Sequence, residues 1–170
     1  MENIIEKCVI KPKEKLDKYI IAITVFISFI ICLIPILFFH IIAYSPVIIL
    51  VTVFIAYNIV VSRNIEYEYE FVENLLTVSK IINKSRRRLL FKGILNDFDI
   101  IAQRKSKYFE EYGRNVQVNI KSISAIENEN VYFGIIQYKN KRTCLFFEAD
   151  DRILKHIKKQ VDFKLKNSWR

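Results

Sequence analysis

The pattern of apolar and polar positions changes character three times along this chain. From Tyr19 to Ser62, 44 consecutive residues carry no Lys, Arg, Asp or Glu. That is room for two bilayer crossings of about 20 residues each. The tract breaks around His40 to Pro46, which predicts spans at 19–39 and 46–62. The connection is so short that the spans must be antiparallel neighbours, a transmembrane hairpin. Ser45 is placed to cap the second helix, with Pro46 in its first turn, where a missing N–H costs nothing. A cleaved signal peptide fits less well: the apolar stretch far exceeds the usual 7–15 residues, and no small-residue cleavage site precedes the second apolar run.

After the tract the period drops to two. Ile65, Tyr67, Tyr69 and Phe71 alternate with Glu66, Glu68 and Glu70, which predicts a strand with one apolar face and one carboxylate face. The three glutamates read as a solvated strand face rather than a cation site, having no companion His, Asn or Gly-rich turn. Glu73-Asn74 offers a tight turn, and Leu75 to Ile82 a second strand. Two more strands fit between Ser85 and Ala102. The segment Ser106 to Arg114 reads as a short helical or irregular connection ended by Gly113. Strands at 116–120, 131–138 and 143–147 follow, the last two joined through Lys139-Asn140-Lys141.

The period then becomes helical. Asp150 predicts an N-cap, with Ile153, Leu154, Ile157 and Val161 on one face and Lys155, His156, Lys158 and Lys159 around the rest. About seven strands and a final helix predict a mainly β, α+β domain: a rolled antiparallel sheet capped by the helix. The chain thus divides into an N-terminal segment (1–18), the hairpin (19–62) and a folded domain (63–170).

Charge sets the orientation. Lys7, Lys11, Lys13, Lys15 and Lys18 precede the tract, Arg63 follows it, and none lies between the spans. The positive-inside rule therefore puts both termini in the cytoplasm of a multi-pass cell-membrane protein. Tyr19, Tyr44 and Tyr57 are candidates for the headgroup level. Ser28 and Cys32, like Thr52 and Ala56, lie four apart and give each helix a small-residue packing face. Pro35 removes a donor from the first helix and reads as a tolerated transmembrane proline. His40 reads as an interfacial histidine at the outer end. No ionisable residue lies within the spans, which argues against an ion or proton path.

From Arg63 onward 22 basic residues face 14 acidic ones. Lys80, Lys84, Arg86, Arg87, Arg88 and Lys92 form the densest cluster. Near an anionic leaflet each such cation is worth roughly 1 kcal/mol, which makes these six the candidate anionic-lipid contacts. Nucleic acid is disfavoured, because no recognition helix or RNP-type aromatic pattern accompanies the cluster. The three cysteines, Cys8, Cys32 and Cys144, are odd in number and widely spaced, which excludes a disulfide framework or a CxxC metal site. Nucleophile, HExxH, Walker and GxGxxG patterns are missing. The chain therefore reads as a non-enzyme with no cofactor and no metal.

A two-helix hairpin running through Arg63-Asn64-Ile65-Glu66-Tyr67-Glu68-Tyr69 into a strand-rich domain with one final helix resembles the bacterial membrane proteins that carry a pleckstrin-homology-like domain. More narrowly, the Glu-Tyr-Glu-Tyr strand, the basic run Lys84 to Arg88 and the segment Lys141-Arg142-Thr143 leading to Leu145-Phe146-Phe147-Glu148 resemble an uncharacterised family of small two-pass bacterial membrane proteins. The resemblance implies a fold and a membrane location and brings no catalytic residues. Its phosphoinositide-binding eukaryotic members use a basic motif around the first two strands, whereas the strongest cluster here follows the second. The expectation is a binding or scaffolding module at the cytoplasmic membrane face, with an unidentified protein partner on a sheet edge or groove. The alternative is an accessory subunit of a membrane enzyme or transporter complex.

Overall fold

A computed structural model of the protein describes residues 4–37 and 43–161. They fall into two compact units: residues 12–65 with 82–86, and a second built from the N-terminal strand, 66–81 and the chain from Arg87 onward.

The first unit is a pair of apolar helices, α1 (Lys15–Leu37) and α2 (Ser45–Val61). Helix α1 is long and apolar enough to cross a membrane; α2 is equally apolar but spans 17 residues. Neither is packed as a core helix, since most of their large apolar side chains are exposed. The carboxylate of Asp17 lies 3.8 Å from the Arg63 guanidinium, which sets the start of α1 beside the exit of α2 and makes the pair antiparallel. Thr24, Ile27, Ser28, Ile31, Thr52, Ile55, Ala56 and Ile59 line the groove between them. Ser28, Thr52 and Ala56 thus stand on the facing surfaces, as the small-residue spacing predicts, but Cys32 does not line the groove. The hydroxyls of Thr24 and Ser28 donate to the carbonyls of Ile20 and Thr24, each at 2.7 Å, so neither is left as an unsatisfied donor among apolar side chains. Helix α1 continues through Pro35. Ser45 does not cap α2: the cap position is Tyr44, without a side-chain bond, and Ser45 and Pro46 both lie in the first turn. His40 lies outside the described residues.

The second unit holds eight strands in two sheets, one more than the sequence suggests. The extra strand is β1 (Ile4–Lys11), which precedes the helices. It borders β2 (Ile65–Val72) in the order β1-β2-β3-β4, with β3 (Leu75–Ile82) and β4 (Arg86–Ile94) completing the sheet. Val9, Tyr67, Tyr69, Phe71, Leu76, Val78 and Phe91 are its buried apolar side chains. Glu68 is not a freely solvated carboxylate: it pairs with the Arg87 guanidinium at 2.8 Å and is only 14% exposed.

The other sheet runs β5-β7-β8-β6, from β5 (Phe98–Gln103), β6 (Val118–Lys121), β7 (Val131–Tyr138) and β8 (Lys141–Glu148). It is not wholly antiparallel: β6 runs parallel to β8, with Val118 opposite Thr143 and Ile120 opposite Leu145. The predicted single rolled antiparallel sheet is therefore two four-stranded sheets, one of them mixed. Strand β8 is buried from Thr143 through Glu148 because both faces of its sheet are covered. On one face the short helix α3 (Tyr108–Tyr112) packs Phe109 edge-on against Phe133, 5.1 Å between ring centroids. Tyr108, Phe109 and Tyr112 close over Ile100, Ala102, Ile135, Cys144 and Phe146.

The C-terminal helix α4 (Asp151–Gln160) is capped as predicted, with Asp150 accepting from the N–H groups of Arg152 and Ile153. Ile153, Ile157 and Val161 of the predicted face are buried, Leu154 only partly so, and His156, expected on the polar side, joins the buried face. His156 is taken inward by a 2.7 Å hydrogen bond with the Glu73 carbonyl and by an edge contact with Phe71.

Candidate membrane-facing site

The strongest site geometry lies where α2 ends. The three-residue loop between β3 and β4, Asn83 to Ser85, has positive φ at Asn83 (50°) and Lys84 (55°), and Ser85 N–H donates to Ile82 at 3.2 Å. This is the signature of a type I′ turn, whose twist matches the flanking strands. Asn83 also donates its backbone N–H to the Asn64 carbonyl at 2.8 Å, tying the turn to the exit of α2. Between them is a recess of about 140 Å³ lined by Asn58, Val61, Ser62, Ile82, Asn83, Ser85 and Arg86. Five of these seven carry polar or charged side chains. Asn58 spends one amide N–H on Phe54 at 2.8 Å, and Ser62 donates to Ile59 at 2.7 Å. Arg86 is exposed and has no carboxylate partner among the described residues. In this unit six basic side chains face two acidic ones, Glu14 and Asp17, and Asp17 is engaged by Arg63.

The structure distributes the six predicted basic residues instead of gathering them. Lys84 and Arg86 stand on the turn beside α2. Arg87 is held by Glu68. Arg88 and Lys92 are exposed on β4. Lys80 is half-buried in a separate cleft of about 280 Å³ shared with Tyr67, Leu90, Asn119, Ile120 and Lys121. Sequence reasoning missed Asn58, Ser62, Asn83 and Ser85. Only Asn58 left a trace, as a lone amide in the last turn of an apolar helix; the meeting of that turn with a hairpin more than twenty residues downstream is tertiary.

The three cysteines are free thiols: Cys8 is exposed, Cys32 partly buried and Cys144 buried. Burial pushes the Cys144 thiol up to about 12, only weakly opposed by the charge of Arg104. Partial burial and the carboxylates of Glu68, Glu66 and Glu6 raise that of Cys8, against the opposing charge of Arg87. Among the described residues no three His, Cys, Asp or Glu side chains come together to hold a metal ion.

Two four-stranded sheets and a C-terminal helix, with an antiparallel apolar helix pair inserted in the sequence after the first strand, define a small sheet domain whose chain carries a helical hairpin. The chain belongs to the family described as Bacterial PH-like domain (DUF6106), whose model matches residues 1–167. That match takes in β1 and both helices as well as the sheets. Comparison with curated proteins and with solved structures finds no match.

Proposed function

We propose that this is a two-pass protein of the bacterial cell membrane, with both termini in the cytoplasm, whose PH-like domain serves as a binding or scaffolding module at the membrane face. The observation that carries this reading is the pairing of β1 with β2. These neighbours in one sheet flank the two helices in sequence, and strand pairing cannot reach through a bilayer. An even number of crossings between Lys11 and Ile65 fits this pairing, which supports α2 crossing together with α1. At 1.5 Å per residue α1 covers about 35 Å and α2 about 26 Å, against a hydrocarbon core of about 30 Å. Modest bilayer thinning and flanking polar residues accommodate the shorter helix. Lys13, Lys15, Lys18 and Arg63 at the shared end support a cytoplasmic orientation.

In this reading the turn carrying Lys84 and Arg86 sits at headgroup level and contacts anionic lipid, while exposed sheet edges remain for a protein partner. Compartment-sensitive reporters fused separately to the N- and C-terminus of the full chain test the topology. Cytoplasmic signal from both is expected. Reporters on opposite sides of the membrane would overturn the proposal.

A further inference from the structure

We infer that the recess between the β3–β4 turn and the last turn of α2 is a headgroup pocket that takes the phosphate of one anionic phospholipid, with Arg86 as its charged ligand. This deepens the reading above and rests on α2 lying in the membrane. A diffuse basic surface would need only charge. Here the recess supplies volume, fixed donors and an uncompensated cation together. Its volume of about 140 Å³ is far above the roughly 10–15 Å³ that a single water needs. The guanidinium of Arg86 offers the planar fork that binds phosphate oxygens in pairs. The Ser85 hydroxyl, the Asn83 amide and the second amide N–H of Asn58 add neutral donors around it, while Val61 and Ile82 form the apolar wall expected next to a glycerol backbone.

The turn is held in place before any ligand arrives. Its two positive-φ residues and the 2.8 Å bond from Asn83 to Asn64 fix where Arg86 leaves the sheet, so little ordering remains to oppose binding. Placement selects the source of the phosphate. The recess begins at Asn58, inside the final turn of an apolar helix, where a lipid phosphodiester is concentrated.

The test uses the full chain in nanodiscs of phosphatidylcholine, or of equal parts phosphatidylcholine and phosphatidylglycerol, read by native mass spectrometry for retained lipid. Wild type should keep one phosphatidylglycerol. Arg86→Gln should weaken retention about tenfold, the expected loss of a charge-assisted bond; Arg86→Lys should fall between, and Ser85→Ala should weaken it more mildly. Arg88→Gln and Lys92→Gln, which lie outside the recess, should weaken it less than Arg86→Gln does. Equal losses from Arg86→Gln and Arg88→Gln would overturn the pocket while preserving surface electrostatics. Displacement of the lipid by inorganic phosphate alone would reassign the site to a soluble anion. Retention of no anionic lipid by any form, with the two-terminus topology intact, would sink the pocket and leave the hairpin standing. Thermal unfolding of each variant separates lost binding from lost fold.

Discussion

The hydroxyl of Tyr69 donates to the backbone carbonyl of Ser122, joining the two sheets through the core. The same oxygen accepts the Glu148 N–H at 3.3 Å. Ser122 in turn donates its own hydroxyl to Phe146 at 2.6 Å, and Glu148 accepts from the N–H and hydroxyl of Ser124. Burial drives the Tyr69 hydroxyl well above the ordinary tyrosine range, so it remains a neutral donor.

Tyr69→Phe keeps the ring and its edge contact with Phe147 but leaves a buried carbonyl and N–H short of a partner. The expected cost is about 1–3 kcal/mol, read as a lowered unfolding midpoint for the full chain in detergent. An unchanged midpoint would mean that the inter-sheet bond contributes nothing net.

Asp150 links acidity to the C-terminal helix. Burial alone would raise its carboxyl. The Ile153 N–H, the Arg152 side chain and the charges of Lys7 and Arg152 outweigh that effect and hold it below the ordinary 3.8. A group whose folded value is lowered stabilises the fold above its unfolded value and loses that contribution as pH falls through the folded one. Asp150→Ala should therefore cost about 1 kcal/mol at neutral pH through loss of the cap. Asp150→Asn, which keeps a capping oxygen, should cost less, and its deficit against wild type should vanish on acidification below pH 3.8. Unfolding curves across that range check the sign; a deficit that grows toward acid contradicts it.

Removing residues 1–11 from the otherwise intact chain should destabilise the domain rather than trim a tail. The deletion strips Val9 from the core, worth about 1.5–3 kcal/mol for a fully buried aliphatic side chain, and opens the edge of β2 to other strands. Size-exclusion profiles should show association, and the unfolding midpoint should fall. A monodisperse truncated protein with the wild-type midpoint would show that β1 is dispensable.

What the sequence disclosed follows from which interactions are local. Tyr67, Tyr69 and Phe71 alternate because one sheet face is buried, and their burial matches the pattern. The Lys139-Asn140 hairpin was legible because positive φ at both positions suits this turn chemistry, and both residues adopt it, at 50° and 61°. The cap at Asp150 was legible for the same local reason. Strand β1 was not: Ile4 to Lys11 alternates weakly and mixes charge with apolar residues, so only its partner more than fifty residues away reveals it. His156 looked polar because its neighbours are lysines, whereas the carbonyl that draws it inward belongs to a distant turn. The recess beside the end of α2 was half visible. Arg86 stood out by charge, while Asn58, Asn83 and Ser85 acquire meaning only when hairpin and helix meet.

The placement of β1 also dictates an order of assembly. β1 is made before the two apolar helices, yet its partner β2 only after both. Until the second helix is complete β1 has no β2 to pair with, so this edge of the sheet closes only once the whole hairpin has been made. A chain that ends within either helix therefore lacks the contact between its first strand and the rest of the sheet.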